Sequence, residues 1–308
     1  MNANWSKQRR QLLGVLGGGA VLAAGCAAST SVAETPGKDE ALILNDLDLE
    51  NEGSRIRAFV KASARLNEGR TIWSTRAEVY AMLPTKEVVP LLRVKGCEQQ
   101  WIRPVSDTEF VSFDNLVTYY CDFDSDQVIQ EFENPFTGSK NTVKPYVSRM
   151  HEGREISPRG VVFRVMREAF PEFYADLKFD VLARKVGESV SFQGEFKWPA
   201  EFIRAPAGSK LTTFARASEL ADPNLNSVPA NFAGYVLMPY FPWMEMADRP
   251  GHLLWHVQGY KIESLDGLDE DYLTAAHADF GDKFEQSPEL DDEPSAFARR
   301  LRAMGRLP

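Results

Sequence analysis

The chain is poor in cysteine, has no surplus of positive charge, and after its first thirty residues contains no apolar run long enough to span a membrane. Three of its 308 residues are Cys, which excludes a disulfide-dense mini-protein. Lys and Arg number 35 against 44 Asp and Glu, giving a net charge of −9. Because there is no basic block, we expect no nucleic-acid partner. The 44% of hydrophobic residues is typical of a globular protein.

The first 33 residues predict an export signal. Arg9 and Arg10 precede a weakly apolar stretch from Leu12 to Ala28, which carries five glycines. A membrane-spanning helix needs about 20 strongly apolar residues. The arginine pair favours the twin-arginine route, with the twin-arginine export machinery as a partner. An ordinary secretory signal beside a chance Arg-Arg pair is the alternative.

Two processing sites compete within this signal. The segment Leu22–Cys26 resembles a lipobox, which predicts lipidation of Cys26, whereas Ser31-Val32-Ala33 would release a soluble protein. In either case we expect a periplasmic protein, or one on the outer face of the cell envelope. Its only contact with the membrane would be the lipid anchor that forms if Cys26 is acylated. Residues 34–48 then form a linker, and residues 49–308 form a single domain.

The remaining cysteines, Cys97 and Cys121, are predicted to be free or buried thiols. If residues 92–103 and 109–120 pair across a turn, Cys97 faces about residue 116. Cys121 then lies about 17 Å further along the strand, whereas a disulfide needs Cα atoms within about 7 Å.

The hydropathy pattern predicts a mainly β protein with short N- and C-terminal helices. An amphipathic helix is expected over 51–66 and a terminal one from about residue 292. Residues 161–170 fit either a helix or a strand, and we favour a helix over 165–177. Alternating residues predict strands over 72–80, 88–102, 110–121, 128–132, 142–147, 211–217, 232–239 and 253–262, and a hairpin over 179–198. Short turns between these strands favour an antiparallel meander, closed as a barrel-like (calycin-like) sheet or packed as a sandwich.

Four sequence blocks resemble a family of exported bacterial proteins, the domain of unknown function 1838 family. They are Tyr119–Asp122, Glu133–Gly138, Pro242–His252 and Gly259–Ile262. The resemblance spans roughly residues 50–285, and it implies an exported protein with a twin-arginine signal. It implies no established activity. Between Val143 and Ser157 the chain departs from the family pattern, which puts a site on that loop in doubt.

The histidines offer two interpretations. His252 and His256 would share a helix face and could hold zinc, but on a strand their imidazoles would lie about 13 Å apart. The alternation around them favours a strand, so we predict no metal site. Structural histidines are one interpretation, and a general base at His256 is the other.

A loop bounded by Pro and Gly carries Glu245, Asp248, Arg249 and His252. These side chains would bind a polar ligand or relay a proton, or an Asp–Arg pair would simply hold the turn.

Aromatic residues in the strands are the broadest indication of function, since a barrel of eight to ten strands can enclose one small ligand. We predict a small, partly apolar ligand, with cofactors unknown. The candidate ligand-binding residues are Trp73, Tyr80, Trp243, Arg249, His252 and His256. The alternative is a cofactor-free hydrolase or isomerase that uses His256 with Asp248 or Glu245. A further possibility is that the aromatic residues simply fill the core and that the protein has a structural role in the cell envelope.

Overall fold

The protein is mainly β, and its antiparallel strands curl into a half-barrel. The computed structural model describes residues 47–85, 87–170, 180–197, 207–303 and 305–308. The strands are β1 (Gly69–Met82), β2 (Val88–Pro104), β3 (Phe110–Asp122), β4 (Glu131–Glu133), β5 (Lys140–Thr142), β6 (Tyr146–Arg149), β7 (Arg154–Ser157), β8 (Gly160–Phe163), β9 (Leu182–Val186), β10 (Ser189–Lys197), β11 (Gly208–Arg216), β12 (Asn231–Met238) and β13 (His252–Ile262). The α-helices are α1 (Glu52–Ser63), α2 (Arg164–Ala169), α3 (Ala217–Ala221), α4 (Glu270–Phe280) and α5 (Ala296–Ala303). No helix in the described ranges is long and apolar enough to cross a membrane.

One sheet contains eleven of these strands. Their order is β8-β7-β3-β2-β1-β13-β12-β11-β10-β9, and β6 pairs with β3 beside this path. The strands β4 and β5 form a separate pair. The predicted fold class, an antiparallel barrel-like sheet with short helices, is confirmed. The last strand returns to the first, since Ile72 in β1 lies opposite Ile262 in β13.

The two faces of the sheet pack differently. In β1, the inner face presents Trp73, Ala77 and Val79, which belong to the main core. The alternate residues, among them Glu78 and Tyr80, face outward because successive side chains of a strand point to opposite faces. A second, smaller core lies between the outer face and α4.

Helix α1 covers part of the inner face. Asn51 begins the helix, and its side-chain oxygen accepts a 3.0 Å hydrogen bond from the backbone N–H of Ser54, as is typical of an N-cap. At the other end, the Lys261 ammonium donates 2.8 Å hydrogen bonds to the carbonyl oxygens of Lys61 and Ala64. These bonds join the last turn of α1 to β13.

Several element predictions need correction. The segment 128–132 is not a return strand along β3: Val128 makes a single bridge to Cys121, and the strand β4 pairs with β5 instead. The helix α4 was not predicted, although Tyr272 and Ala276 form its buried face. Predictions for residues 1–33, including Cys26, and most of the helix predicted over 165–177 lie outside the described residues.

The cysteine prediction is confirmed. Cys97 lies opposite Val117, one residue from the expected partner. Cys97 and Cys121 are both free and buried, and burial raises the pKa of each thiol, to about 12 for Cys121. Neither thiol therefore forms the reactive thiolate readily at neutral pH.

Candidate ligand-binding site

An aromatic pocket lies at the end of the half-barrel where β3 and β12 finish. Its volume is about 400 Å³. Tyr120 comes from the end of β3, and residues 144–146 lead into β6. The rest of the wall comes from the end of β12 and the loop after it. The lining residues are Tyr120, Lys144, Pro145, Tyr146, Met238, Pro239, Tyr240, Phe241, Pro242 and Trp243.

Contacts between rings hold the wall in place. Phe241 and Trp243 stack with centroids 5.1 Å apart and ring planes 15° apart. Tyr120 packs against both rings, at 4.7 Å and 5.5 Å. Trp255, from the inner face of β13, contacts Tyr120 and Phe241 from behind, at 6.2 Å and 5.6 Å. Aromatic pairs of this geometry add stability beyond their buried area.

The local sequence explains how Trp243 is presented. Pro242 occupies the first turn of a 3₁₀ helix over Pro242–Met244, and Glu245 ends it in the left-handed conformation at φ 56°. The amide of Asn134 donates a 3.0 Å hydrogen bond to the carbonyl oxygen of Met244. These contacts fix the loop against the turn at residues 134–138.

The polar side chains that line the pocket are the phenols of Tyr120, Tyr146 and Tyr240 and the ammonium of Lys144, and each of them can donate a hydrogen bond. Burial raises the pKa of Tyr146 to about 12, and it also raises the pKa of Tyr120, so both phenols stay protonated at neutral pH. Lys144 is exposed at the pocket. The buried indole nitrogen of Trp255 has no hydrogen-bond partner in the part of the chain that the structure describes. Buried donors of this kind are rare unless a water or a ligand pairs with them.

Of the residues predicted to bind a ligand, Trp243 lies in the pocket wall. Arg249 lies in the same loop and donates a 3.0 Å hydrogen bond to the carbonyl oxygen of Phe136, which is a loop-holding role. Trp73 lies in the core instead, 1% exposed. Its indole N–H donates to the carbonyl oxygen of Ser63 at 2.9 Å, and its ring packs against Phe232.

The two histidines lie on a strand, as the alternation predicted. His252 lies opposite Met82, and His256 lies opposite Glu78. Burial lowers the pKa of His252, so the neutral imidazole is favoured there.

The carboxylate that lies directly opposite His256 in the sheet is that of Glu78. Neither Glu245 nor Asp248 lies opposite His256. Both of those residues are exposed in the loop before β13.

A polar groove of about 340 Å³ lies on the outer face. It is a place separate from the aromatic pocket, and it contains His256, which sequence analysis had grouped with the aromatic residues. Tyr80 adjoins this groove, because its hydroxyl donates a 2.6 Å hydrogen bond to Glu78. The groove is lined by Arg76, Ala77, Glu78, Arg93, Val94, Asp126, His256 and Gln258.

Sequence analysis missed a cluster of buried charges on the inner face. Arg154 Nη2 lies 2.6 Å from Asp114 Oδ1 and 3.4 Å from Glu98 Oε1. Burial raises the pKa of Glu98 to about 8, so one guanidinium serves two carboxyl groups of which one retains its proton near neutral pH. Buried oxygens of Thr75, Gln100 and Asp114 lack partners among the described residues. The signal in the sequence was a set of polar residues at inward positions of otherwise apolar strands.

Comparison with known proteins places the chain in a family. No curated protein matches it. A family model described as "Protein of unknown function (DUF1838)" matches residues 68–298. This range runs from just before β1 to the last helix and includes both the aromatic pocket and the outer groove. The chain belongs to the DUF1838 family.

Proposed function

We propose that the protein binds a small, partly apolar molecule in the aromatic pocket. The observation that carries the proposal is a pocket of about 400 Å³ walled by the stacked rings of Phe241 and Trp243. Small-molecule sites have volumes of about 300–1,000 Å³ and combine apolar walls with a few placed polar groups. A curled sheet whose inner face carries such a pocket is consistent with a ligand-binding fold.

The donors around the pocket favour a ligand with acceptor oxygens. The phenols of Tyr120 and Tyr146 and the ammonium of Lys144 can all donate hydrogen bonds to a ligand. A flat apolar body would pack against Trp243, and a carboxylate or carbonyl group on it would accept from these donors. The ammonium of Lys144 favours the anionic form of such a ligand.

Native mass spectrometry of the protein purified from its host without denaturation tests this proposal directly. We expect a mass above that of the polypeptide, released on unfolding, and identification of the released compound names the ligand class. A ligand without an apolar ring or chain would contradict the proposal.

Substitution locates the ligand in the molecule. Trp243→Ala should abolish retention of the compound, or weaken its binding by about tenfold or more. Trp101→Ala is the matched control, because this half-buried tryptophan lies in β2 outside the pocket. Equal loss of binding in both variants would show that the aromatic pocket is not the site.

We also propose that the chain is exported by the twin-arginine machinery, on the strength of Arg9 and Arg10 before a weakly apolar stretch. Replacing both arginines with lysine should retain the protein in the cytoplasm. The N-terminal peptide of the mature protein distinguishes an acylated Cys26 from a free N-terminus at Glu34. Export that persists in the double lysine variant would favour an ordinary secretory signal.

A further inference from the structure

The outer groove is built by side chains from three adjacent strands. In one transverse row, Glu78 lies between His256 of β13 and Arg93 of β2. In the next row, Arg76 lies between Gln258 and Lys95. Neighbouring strands are about 4.8 Å apart, so these rows present closely spaced donors and acceptors on a rigid surface.

The charges around the groove nearly cancel. Arg76 pairs with Asp126 at 3.4 Å and also with Asp269. Lys95 pairs with Asp271 at 2.7 Å and with Asp269 at 3.1 Å. Among the residues that line the groove, the two cations Arg76 and Arg93 face the two acids Glu78 and Asp126. A site within one charge of neutral has little preference for a strongly charged ligand.

Two charged residues of the groove, Glu78 and Arg93, retain groups that can hydrogen-bond to a ligand. Glu78 and Arg93 are directly opposite each other, yet the described structure shows no ion pair between them. One oxygen of Glu78 accepts from the Tyr80 hydroxyl at 2.6 Å. The Arg93 guanidinium lies over the Phe123 ring at 5.2 Å, which leaves its N–H groups available.

Two exposed tyrosines lie on the same face of the sheet as the groove, beside its residues His256 and Gln258. Tyr235 lies opposite His256 and is 40% exposed. Tyr260 lies two residues beyond Gln258 on the same outward face and is 46% exposed. They are the two large exposed aromatic residues within the described ranges, and both are on this face. Exposed tyrosines set beside polar groups are typical of a binding surface.

We propose that the outer groove binds a neutral saccharide. A sugar hydroxyl both donates and accepts hydrogen bonds, so it can pair with Glu78 and with Arg93 or Gln258. The C–H face of a sugar ring packs on an aromatic ring, which Tyr235 and Tyr260 supply. An anion would be repelled by the acids of the groove, and a cation would be repelled by its arginines. This site is independent of the aromatic pocket, and either proposal can fail without the other.

Saturation-transfer NMR and titration calorimetry of the intact protein with maltotriose, cellotriose and chitotriose test the proposal. We expect at least one trisaccharide to bind. The double variant Tyr235→Ala/Tyr260→Ala and the single variant Glu78→Gln should each raise its Kd by about tenfold. Leu290→Ala, which changes a side chain 74% exposed outside the groove, should leave the Kd unchanged.

Three results would overturn the proposal. One is the absence of binding by all three trisaccharides at millimolar concentration. Another is binding that the groove variants do not weaken. The third is binding of glutamate or inorganic phosphate to the groove in place of the trisaccharides. Thermal unfolding of each variant confirms that it is folded, which is expected because both tyrosines are substantially exposed.

Discussion

Glu98 and Asp114, on neighbouring strands, each direct one carboxyl oxygen at the same nitrogen atom, Nη2 of Arg154. All three side chains are at most 7% exposed. Removing one partner of a buried charge network is far more damaging than removing an exposed pair, because the remaining charge stays buried without compensation.

Substitution of Arg154 should therefore destabilise the protein strongly. We expect Arg154→Ala to lower the free energy of unfolding by about 3–5 kcal/mol, measured by urea denaturation. Arg159→Ala is the matched control, since Arg159 lies 3.3 Å from Glu109 and is 80% exposed, and it should change stability by about 0.5 kcal/mol or less. Similar losses in the two variants would contradict the role given to the buried cluster.

The raised pKa of Glu98 predicts a pH dependence of stability. The unfolded chain releases this proton near pH 4.5, whereas the folded protein holds it until about pH 8. Unfolding therefore releases a proton between these values, and the stabilising contribution, fully present below pH 4.5, is lost as the pH rises through 8. The free energy of unfolding should decline over this range.

Glu98→Gln should flatten that decline, because the amide does not titrate. Glu109→Gln, at a partly exposed site, should leave the decline as in the parent protein. Denaturation curves from pH 5 to 8 provide the comparison, and a Glu98→Gln profile parallel to the parent profile would assign the pH dependence to other groups.

The hydrogen bonds of the Lys261 side chain form a second stabilising contact, separate from the Arg154 cluster. Its ammonium donates to the carbonyl oxygens of Lys61, Ala64 and Val228 and to the hydroxyl of Ser227, at 2.8–3.0 Å. Lys261→Met keeps the length of the side chain and removes all four of these hydrogen bonds. The carbonyl oxygens of Lys61 and Ala64 then keep only their bonds from the Val228 N–H and the Ser227 hydroxyl. We expect a loss of about 2–4 kcal/mol, whereas Lys210→Met, at an exposed pair with Glu195, should cost about 0.5 kcal/mol or less. A mild effect at Lys261 would mean that water replaces the ammonium.

Gly259 marks a point where the sheet and a ring approach closely. A Cβ atom there would lie 2.2 Å from Cε1 of Phe232 and 2.3 Å from the carbonyl oxygen of Ser74. Gly259→Ala should cost about 3 kcal/mol through overpacking. Gly267→Ala, whose Cβ would meet its nearest neighbour at 3.4 Å, is the matched control and should be nearly neutral by thermal unfolding. Equal melting temperatures of the two variants would show that the Phe232 ring and the Ser74 backbone both shift at little cost.

Local patterns predicted the hairpins well. The alternation in β2 and β3 placed Cys97 within one residue of its observed partner, because one tight turn sets the register of both strands. The turn at Gly187 likewise joins β9 to β10. Patterns of this kind involve residues that are close together in the sequence, so they can be recognised without knowledge of the fold.

Long-range relationships were not predictable in the same way. The alternation in β1 places Trp73 and Tyr80 on opposite faces of the sheet. It does not indicate which face carries the aromatic pocket and which face carries the groove. The two carboxyl partners of Arg154 lie 40 and 56 residues away along the chain, and no local rule joins them to it. Helix α4 was missed because its buried stripe packs on the outer face of a sheet whose register had to be known first.

The pairing of β1 with β13 also means that the main sheet is completed only late in synthesis of the chain. One edge of β1, fourteen residues long, is covered early by β2, its neighbour in the chain. The other edge stays bare until residue 252 and those after it have been synthesised. An open strand edge is a template for association with other chains. A growing or truncated chain that ends before β13 therefore leaves the hydrogen-bonding groups along this edge of β1 open to other chains, and only the pairing of β13 covers them.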